Sequence, residues 1–319
     1  LSAQPLFSVI IPHWNGIRFL PDCLSSLKAQ TYPAIEVILV DNASSDGSQA
    51  LMREAYPWAR LIELPTNQGF TGACNAGMRA ATGDILCLLN NDTEVAPGWA
   101  AAVMDAFARH PAIGSVASKM LLFDRRDHLH TTGDTFSVDG RAGNRGVWQK
   151  DDGQYDHEEY VFSACGGSSA YRRLMLDKIG LLDDDFFFLM EDIDLGWRAQ
   201  LAGWRCLYTP KAVVYHHLSA SGGGVTASYY AGRNSLLLLA KVIPGSLWRK
   251  HGGKIFRAQW HDLWAAVRAW RGQAARARLK GMAAGIWGAL RGWPKRRAVQ
   301  AARVVSLDYL ESILSPPQG

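Results

Sequence analysis

Ile85-Leu86-Cys87-Leu88-Leu89-Asn90-Asn91-Asp92 decides the reading of this chain. Five consecutive apolar residues closed by polar ones suit a short strand buried on both faces. Such strands belong to parallel sheets covered by helices, whose ligands bind beyond the carboxyl ends of the strands. Two amides and a carboxylate fall at that end here. Hard cations such as Mg2+ and Mn2+ take oxygen ligands, commonly one or two carboxylates plus substrate phosphate. Asn and Asp also favour plain turns, but three together at a strand's end favour a ligand.

Outward from this strand, apolar and amphipathic stretches alternate. Strands are expected at Val9–Ile11, Ile35–Val40, Arg60–Leu64 and Ser115–Ser118, and helices at Phe19–Gln30, Ser48–Tyr56, Gly69–Ala81 and Trp99–Arg109. The pattern predicts an α/β fold with a Rossmann-like mixed, mainly parallel sheet sandwiched by helices. Further polar groups gather at strand ends, in Pro12-His13-Trp14-Asn15 and Asp41-Asn42-Ala43-Ser44. Residues 123–160 are polar and Gly-rich and read as a long excursion on the cleft side, since loops longer than about 15 residues tend to be functional. Helices at Arg172–Ile179 and Glu191–Ala202 follow. Two strands are expected next, Arg205–Tyr208 and Ala212–Tyr215, before His216-His217 and a lid-like Ser219-Ala220-Ser221-Gly222-Gly223-Gly224.

The 319 residues are 48% hydrophobic and 20% charged, an ordinary globular composition. Five scattered cysteines without a CxxC pair suggest buried free thiols in a reducing compartment. No stretch reaches the length of a membrane span, and no leader pattern precedes the first strand, so the expected location is cytoplasmic. The net charge of +5 hides an asymmetry. Residues 1–243 hold 20 Lys+Arg against 26 Asp+Glu, a net of −6, whereas residues 244–319 hold 14 against 3, a net of +11. Half of the twelve tryptophans also lie in that last part. A boundary is therefore placed at 243/244, between a catalytic domain and a basic, Trp-rich helical extension. Residues 248–297 mix aromatic and basic side chains near helical spacing. They suit either a helix packed on the domain or one lying on an anionic membrane at its inner face. Nothing in the chain resembles a nucleic-acid module.

Several local groups carry chemistry. Asp41 could accept from a nucleobase or ribose, or form an Asx turn. Asn67 to Gly77, with Gly72 and Asn75 inside it, is a glycine-bearing helix start that attracts anions, unless the glycines serve close packing. It is neither a dinucleotide fingerprint nor a P-loop. Glu191, Asp192 and Asp194 open a helix, where acidic residues complement the dipole at about 0.3–1 kcal/mol each; that role suffices for one or two of them, and the local sequence does not show which carboxylate faces a cleft. His216, at a strand end, becomes a plausible nitrogen ligand beside an Asn/Asp cluster and suits Mn2+ better than Mg2+.

Residues 7–235 resemble the inverting family-two glycosyltransferases of the GT-A fold, particularly bacterial rhamnosyltransferase-like members. The motifs are Ser8-Val9-Ile10-Ile11-Pro12 with Asn15, Glu36-Val37-Ile38-Leu39-Val40-Asp41-Asn42-Ala43-Ser44, Asn67-Gln68-Gly69-Phe70, and Leu88-Leu89-Asn90-Asn91-Asp92-Thr93. Gly166-Gly167-Ser168, Glu191-Asp192-Ile193-Asp194-Leu195 with Trp197-Arg198, Ala202-Gly203-Trp204, and Val214-Tyr215-His216-His217 with Ser221 continue the series. The resemblance implies a nucleoside-diphosphate sugar donor, dTDP- or UDP-linked, held by Pro12, Asn15, Asp41, Asn67, Gly72, Asn75, Asn90, Asn91 and Arg198. It implies a divalent cation on Asp92 with His216, and Asp192 as catalytic base with Glu191 beside it. Gly166, Gly167 and Glu191 would face a saccharide or lipid-linked glycan acceptor. Asn90 stands where the family's metal motif has its first carboxylate, and an amide oxygen binds a cation more weakly. A sugar-nucleotide nucleotidyltransferase would want a basic glycine loop after the first strand, which Pro12-His13-Trp14-Asn15-Gly16 does not supply. A non-catalytic nucleotide- or glycan-binding module would not need both Asp92 and Asp192.

Overall fold

Four strands of the N-terminal half lie parallel, and the inner ones are buried, as the apolar run at 85–89 requires. They are β1 (Phe7–His13), β2 (Ile35–Asp41), β3 (Arg60–Glu63) and β4 (Ile85–Leu89), in the order β4-β1-β2-β3. The computed structural model describes residues 4–217 and 224–317. The lid-like stretch expected at 219–224 therefore lies, but for Gly224, outside the described residues. Side chains alternate between two cores as the strand period of two demands. Phe7, Val9 and Ile11 of β1 enter one, with Leu39 and Cys87. Ile10 enters the other, with Ile38, Val40, Leu86 and Leu88. Helices α1 (Leu20–Lys28) and α4 (Trp99–Arg109) cover the first face, through Leu20, Leu24, Trp99 and Val103. Helices α3 (Gly69–Ala80), α5 (Arg173–Ile179) and α6 (Glu191–Leu201) cover the second. Helix α2 (Ser48–Ala55) follows β2.

Beyond β4 the sheet becomes mixed. Strands β5 (Thr93–Val95), β6 (Ile113–Leu122), β7 (Leu129–Thr131), β10 (Glu159–Val161), β11 (Ser168–Arg172) and β12 (Arg205–His216) complete it, and β8 (Asp134–Phe136) pairs with β9 (Ala142–Asn144) separately. The α/β sandwich is as expected, and by length of pairing the sheet is mainly parallel. Three details differ. The two strands expected at 205–215 are one, β12, which runs parallel to β6 and carries an irregularity between Thr209 and Val213. The excursion at 123–160 is not a free loop: β7 pairs with β6 and β10 with β12. Strand β11, of mixed Ser, Ala, Tyr and Arg, sits antiparallel between β4 and β6. Its apolar signal is too weak to be read, and its neighbours impose the strand.

The C-terminal part is helical: α7 (Gly224–Val242), α8 (Gly245–Arg268), α9 (Gln273–Arg291), α10 (Trp293–Ala301) and α11 (Leu307–Ser312). Helices α7 and α9 approach closely because of glycine. A Cβ on Gly285 would lie 2.6 Å from the Arg233 carbonyl oxygen, and one on Gly232 2.6 Å from that of Arg278. The compositional change at 243/244 is not a gap in packing. One hydrophobic cluster joins Phe136, Phe162, Ile193 and Trp197 to Leu238, Val242 and Ile243 and on to Leu247, Ile255 and Leu310. An ion pair crosses the same junction, Lys295 reaching Asp183 at 2.6 Å, and beside it Lys241 reaches Asp183 at 2.6 Å and Asp194 at 2.7 Å. All five cysteines are free, and all but the half-buried Cys165 are buried.

Candidate active site

Three sequence-remote groups meet at the carboxyl ends of β1, β2 and β4. At the end of β2, Asp41 is fully buried. Its Oδ2 accepts from Ser44 N at 3.1 Å and Gln49 Nε2 at 2.7 Å. Among the described residues nothing donates to its Oδ1, and such a buried, unpaired acceptor calls for a donor from outside the chain. Just past β1, which buries Pro12, exposed Asn15 adopts a left-handed φ of 48°. There its Oδ1 accepts from Ser45 N at 2.8 Å, tying the β1 and β2 loops together. Asn67 closes the same edge: its Oδ1 accepts from Gly69 N at 2.8 Å and from Asn42 Nδ2 at 3.0 Å.

The end of β4 lies beside the end of β12, because β5 pairs with β12 and brings His216 opposite Thr93. Asp92 Oδ1 stands 3.0 Å from His216 Nε2, and Asn90 Nδ2 stands 3.5 Å from the same nitrogen. His216 Nδ1 lies 3.2 Å from His130 Nδ1 on β7. Burial, with His216 next to it, pushes the His130 pKa down to about 3, so its ring is neutral. Asn91 Nδ2 lies 2.8 Å from His13 Nδ1, and His13 Nε2 lies 2.7 Å from Ser48 Oγ. Burial lowers the His13 pKa as well, so His13 is a neutral bridge from the β4 end to the α2 N-terminus.

The second carboxylate site is the N-terminus of α6. Leading into it, Phe187, Leu189 and Met190 have φ of 61°, 69° and 72°, a region that costs non-glycine residues about 1–3 kcal/mol each. Fully buried Asn234 of α7 holds this segment, its Nδ2 lying 2.9 Å from Phe186 O, 2.8 Å from Phe188 O and 2.8 Å from Leu189 O. The result aims two acids. Partly buried Asp192 accepts at Oδ2 from Gly166 N at 2.9 Å and at Oδ1 from Ile193 N at 2.8 Å. Burial raises its pKa, and those two backbone donors oppose the rise. Buried Glu191 is pushed up to about 8 by burial and then by the charges of Asp192 and Asp194; among the described residues its Oε2 has no partner. Near neutral pH the protonated form of Glu191 is thus favoured. Buried Asp134 feels the same field and is pushed well above the carboxylate range, by burial and then by Asp192.

Gly166 and Gly167 join the two halves. Asn90 N donates to Gly167 O at 3.0 Å, while Gly166 N binds Asp192. A Cβ on Gly166 would come within 3.3 Å of Asp192 Oδ2. The Asp92 and Asp192 neighbourhoods are therefore adjacent, separated by one peptide unit of the 166–167 turn. Two expected donor contacts, Asn75 and Arg198, have their side chains engaged elsewhere. Asn75 is buried with its amide on Leu182 O at 2.9 Å and Asp184 Oδ1 at 2.7 Å. Arg198 spends its guanidinium on Asp194 at 2.8 Å and on the carbonyls of Ile179, Gly180 and Leu181. Gly72 packs against its own helix start, where a Cβ would meet Gln68 Cβ at 2.6 Å. Asn75 and Arg198 act as supports that pin the loop leading to α6. Sequence reasoning missed His130, Asp134 and Asn234. His13 stood in a noted strand-end motif, but its bridging role was not visible.

Among the described residues no group of three His, Cys, Asp or Glu side chains stands ready for a metal. The donor set nonetheless fits a divalent cation completed by phosphate oxygens. Asp92 supplies a carboxylate oxygen and His216 an imidazole nitrogen 3.0 Å from it, donor types that such cations take. A cavity of about 580 Å³ lies elsewhere, lined by Asp183, Phe186, Lys241, Trp293, Lys295 and Arg296.

The Glycosyl transferase family 2 profile matches residues 8–180, and the chain belongs to that family. It is 29% identical over 231 residues to the N-acetylglucosaminyl-diphospho-decaprenol L-rhamnosyltransferase of Mycobacterium tuberculosis, covering 65% of this chain and 75% of that one. It is 31% identical over 232 residues to the O-antigen biosynthesis protein RfbC of Myxococcus xanthus, across 69% of this chain but 18% of the relative. In three dimensions it is similar to a mannosyltransferase from Pyrobaculum calidifontis, solved with GDP-Man and Mn2+. That match has a TM-score of 0.56 at 18% identity and spans 98% of this chain and 84% of the other. At that identity the likeness establishes the GT-A fold. The chain is a glycosyltransferase.

Proposed function

We propose that the chain is an inverting, metal-dependent transferase that moves a sugar from a dTDP- or UDP-linked donor to a hydroxyl of a saccharide or lipid-linked glycan during cell-surface polysaccharide synthesis. Rhamnose is the sugar favoured by the kinship with the M. tuberculosis enzyme. The observation that carries this reading is the 166–167 turn, which places Asp192 next to the Asn90–Asp92 cluster.

The donor's nucleobase or ribose supplies the N–H or O–H that Asp41 Oδ1 lacks, with Pro12 and Asn15 shaping the pocket. Asp92 and His216 Nε2 would hold the cation, with Asn90 and Asn91 beside them; when bound, a divalent ion neutralises charge on the departing diphosphate. Asp192 accepts the proton of the acceptor hydroxyl as that oxygen attacks the anomeric carbon. The new C–O bond forms as the bond to the diphosphate breaks, and a single displacement inverts the anomeric centre. Burial suits Asp192 to this task, because a raised pKa makes a carboxylate a stronger base. Protonated Glu191 adds no second negative charge and presents a donor toward the acceptor, with Gly166 and Gly167 lining the approach.

The test is incubation with dTDP- and UDP-sugars, with Mn2+ and with Mg2+, scoring release of nucleoside diphosphate. Release of the diphosphate together with a glycosylated acceptor supports the reading. Release of pyrophosphate from a nucleoside triphosphate and a sugar phosphate would instead mark a nucleotidyltransferase.

A further inference from the structure

Helix α8 faces the protein on one side and presents a row of large aromatic residues on the other. Leu247, Ile255, Ala258 and Ala266 are its buried side chains. At about 100° per residue, Phe256, Trp260, Trp264 and Val267, with Trp270 just past the helix end, fall within about 120° of arc on the opposite side. All are exposed: Phe256 at 68%, Trp260 at 56%, Trp264 at 48% and Trp270 at 58%. Exposed apolar patches of this kind mark interaction sites.

Charge chooses the partner. Lys254, Arg257 and Arg268 are exposed and flank the aromatic row on one edge. Arg268 lies 5.5 Å from the Trp264 ring centre. The only acid on α8 or α9 is Asp262. It is turned inward, pairing with Arg141 at 2.8 Å and Arg278 at 3.0 Å. The outward face therefore carries tryptophan and cations without a compensating anion, a composition that suits the headgroup boundary of an anionic bilayer. Among the described residues no helix is long and apolar enough to cross a membrane, so the contact is lateral.

We propose that the outer face of α8, continued by Trp270, is an interfacial docking surface for an anionic phospholipid membrane. The helix lies parallel to the surface, its aromatic rings at the acyl boundary and its basic edge among the phosphates. The inference stands on the α8 face alone and does not depend on the donor or the acceptor assigned above.

The experiment is flotation of the full chain with vesicles of phosphatidylcholine alone and of phosphatidylcholine with phosphatidylglycerol, at low and high salt. The chain should float with the anionic vesicles and much less with the neutral ones. Trp260→Ser and Trp264→Ser should each weaken binding about tenfold, the scale of burying one large apolar side chain. Arg257→Gln with Arg268→Gln should remove much of the salt-sensitive part. Both pairs alter exposed side chains, so an unchanged melting temperature confirms that the fold is intact. Failure to float with anionic vesicles, or flotation unchanged by the tryptophan substitutions, would overturn the proposal. So would sedimentation showing self-association that the same substitutions abolish, because the face would then belong to a second copy of the chain.

Discussion

Asp92 Oδ1 and His216 Nε2, 124 residues apart in the chain, stand 3.0 Å apart at the ends of β4 and β12. The pairing of β5 with β12 puts them there, and it defines one pole of the proposed reaction. His216→Ala removes the imidazole beside Asp92 Oδ1. Donor binding in Mn2+ should weaken by about tenfold or more, the scale on which changes at a metal site act. The loss should be smaller in Mg2+, which has less affinity for imidazole. Calorimetry with each metal, and with chelator, checks this; equal affinity in all conditions would remove His216 from the site.

Asn234→Ala should slow turnover more than it weakens donor binding. The amide holds three carbonyls of the strained 186–190 segment, and leaving buried polar groups unpaired costs about 1–3 kcal/mol. The expected result is a kcat lowered about tenfold or more, KM for the donor little changed, and a lower melting temperature. A lowered melting temperature with normal kcat would restrict Asn234 to stability.

Glu191 predicts a pH dependence. Its pKa in the folded chain, about 8, lies above the ordinary value of 4.5, so folding favours the protonated form. The stability this contributes is complete below about 4.5 and is lost as pH rises through 8. Melting temperature should therefore fall between about pH 5 and 8 more steeply in the wild type than in Glu191→Gln, which cannot ionise. Parallel curves for the two proteins would show that Glu191 titrates normally.

The ion pairs at the junction differ in worth. Lys241 is buried between Asp183 and Asp194, and Lys295 is half-exposed beside Asp183 and Asp185. Lys241→Met removes the buried cation shared by two carboxylates, leaving Asp194 to Arg198 and Asp183 to Lys295, and should cost about 3 kcal/mol. Lys295→Met should cost about 1 kcal/mol or less. Urea melts of both variants measure the difference, and equal losses would contradict the burial argument.

The first half of the fold was legible because β1, β2 and β4 bury both faces, so their sequences are short apolar runs ending in polar side chains. Those ends hold Asp41 and Asn90–Asp92, which is why their placement at the strand ends could be read from the sequence. Strand β11 was not legible, because Ser168 to Arg172 has neither apolar alternation nor β-branched residues and is a strand only through β4 and β6. His130 sits in a polar stretch whose return to β6 no local signal announces. Asn234 looks like any helix-surface amide, and only the tertiary structure turns it toward residues 186–189. Asn75 and Arg198 were assigned to the donor because residue type cannot separate a group that binds ligand from one that braces a loop. The extension showed its charge and tryptophans, yet its packing depends on close helix approach at Gly232 and Gly285, which composition does not reveal.

The division of labour between Asp92 and Asp192 is tested most directly by measuring donor binding and turnover side by side in Asp92→Ala and Asp192→Asn. Asp192→Asn should bind the nucleotide sugar with cation as the wild type does, while transfer falls by about 10²–10⁴, the contribution of a general base. Asp92→Ala should lose cation-dependent binding itself. Wild-type turnover in Asp192→Asn, or unimpaired cation-dependent binding in Asp92→Ala, would contradict the account.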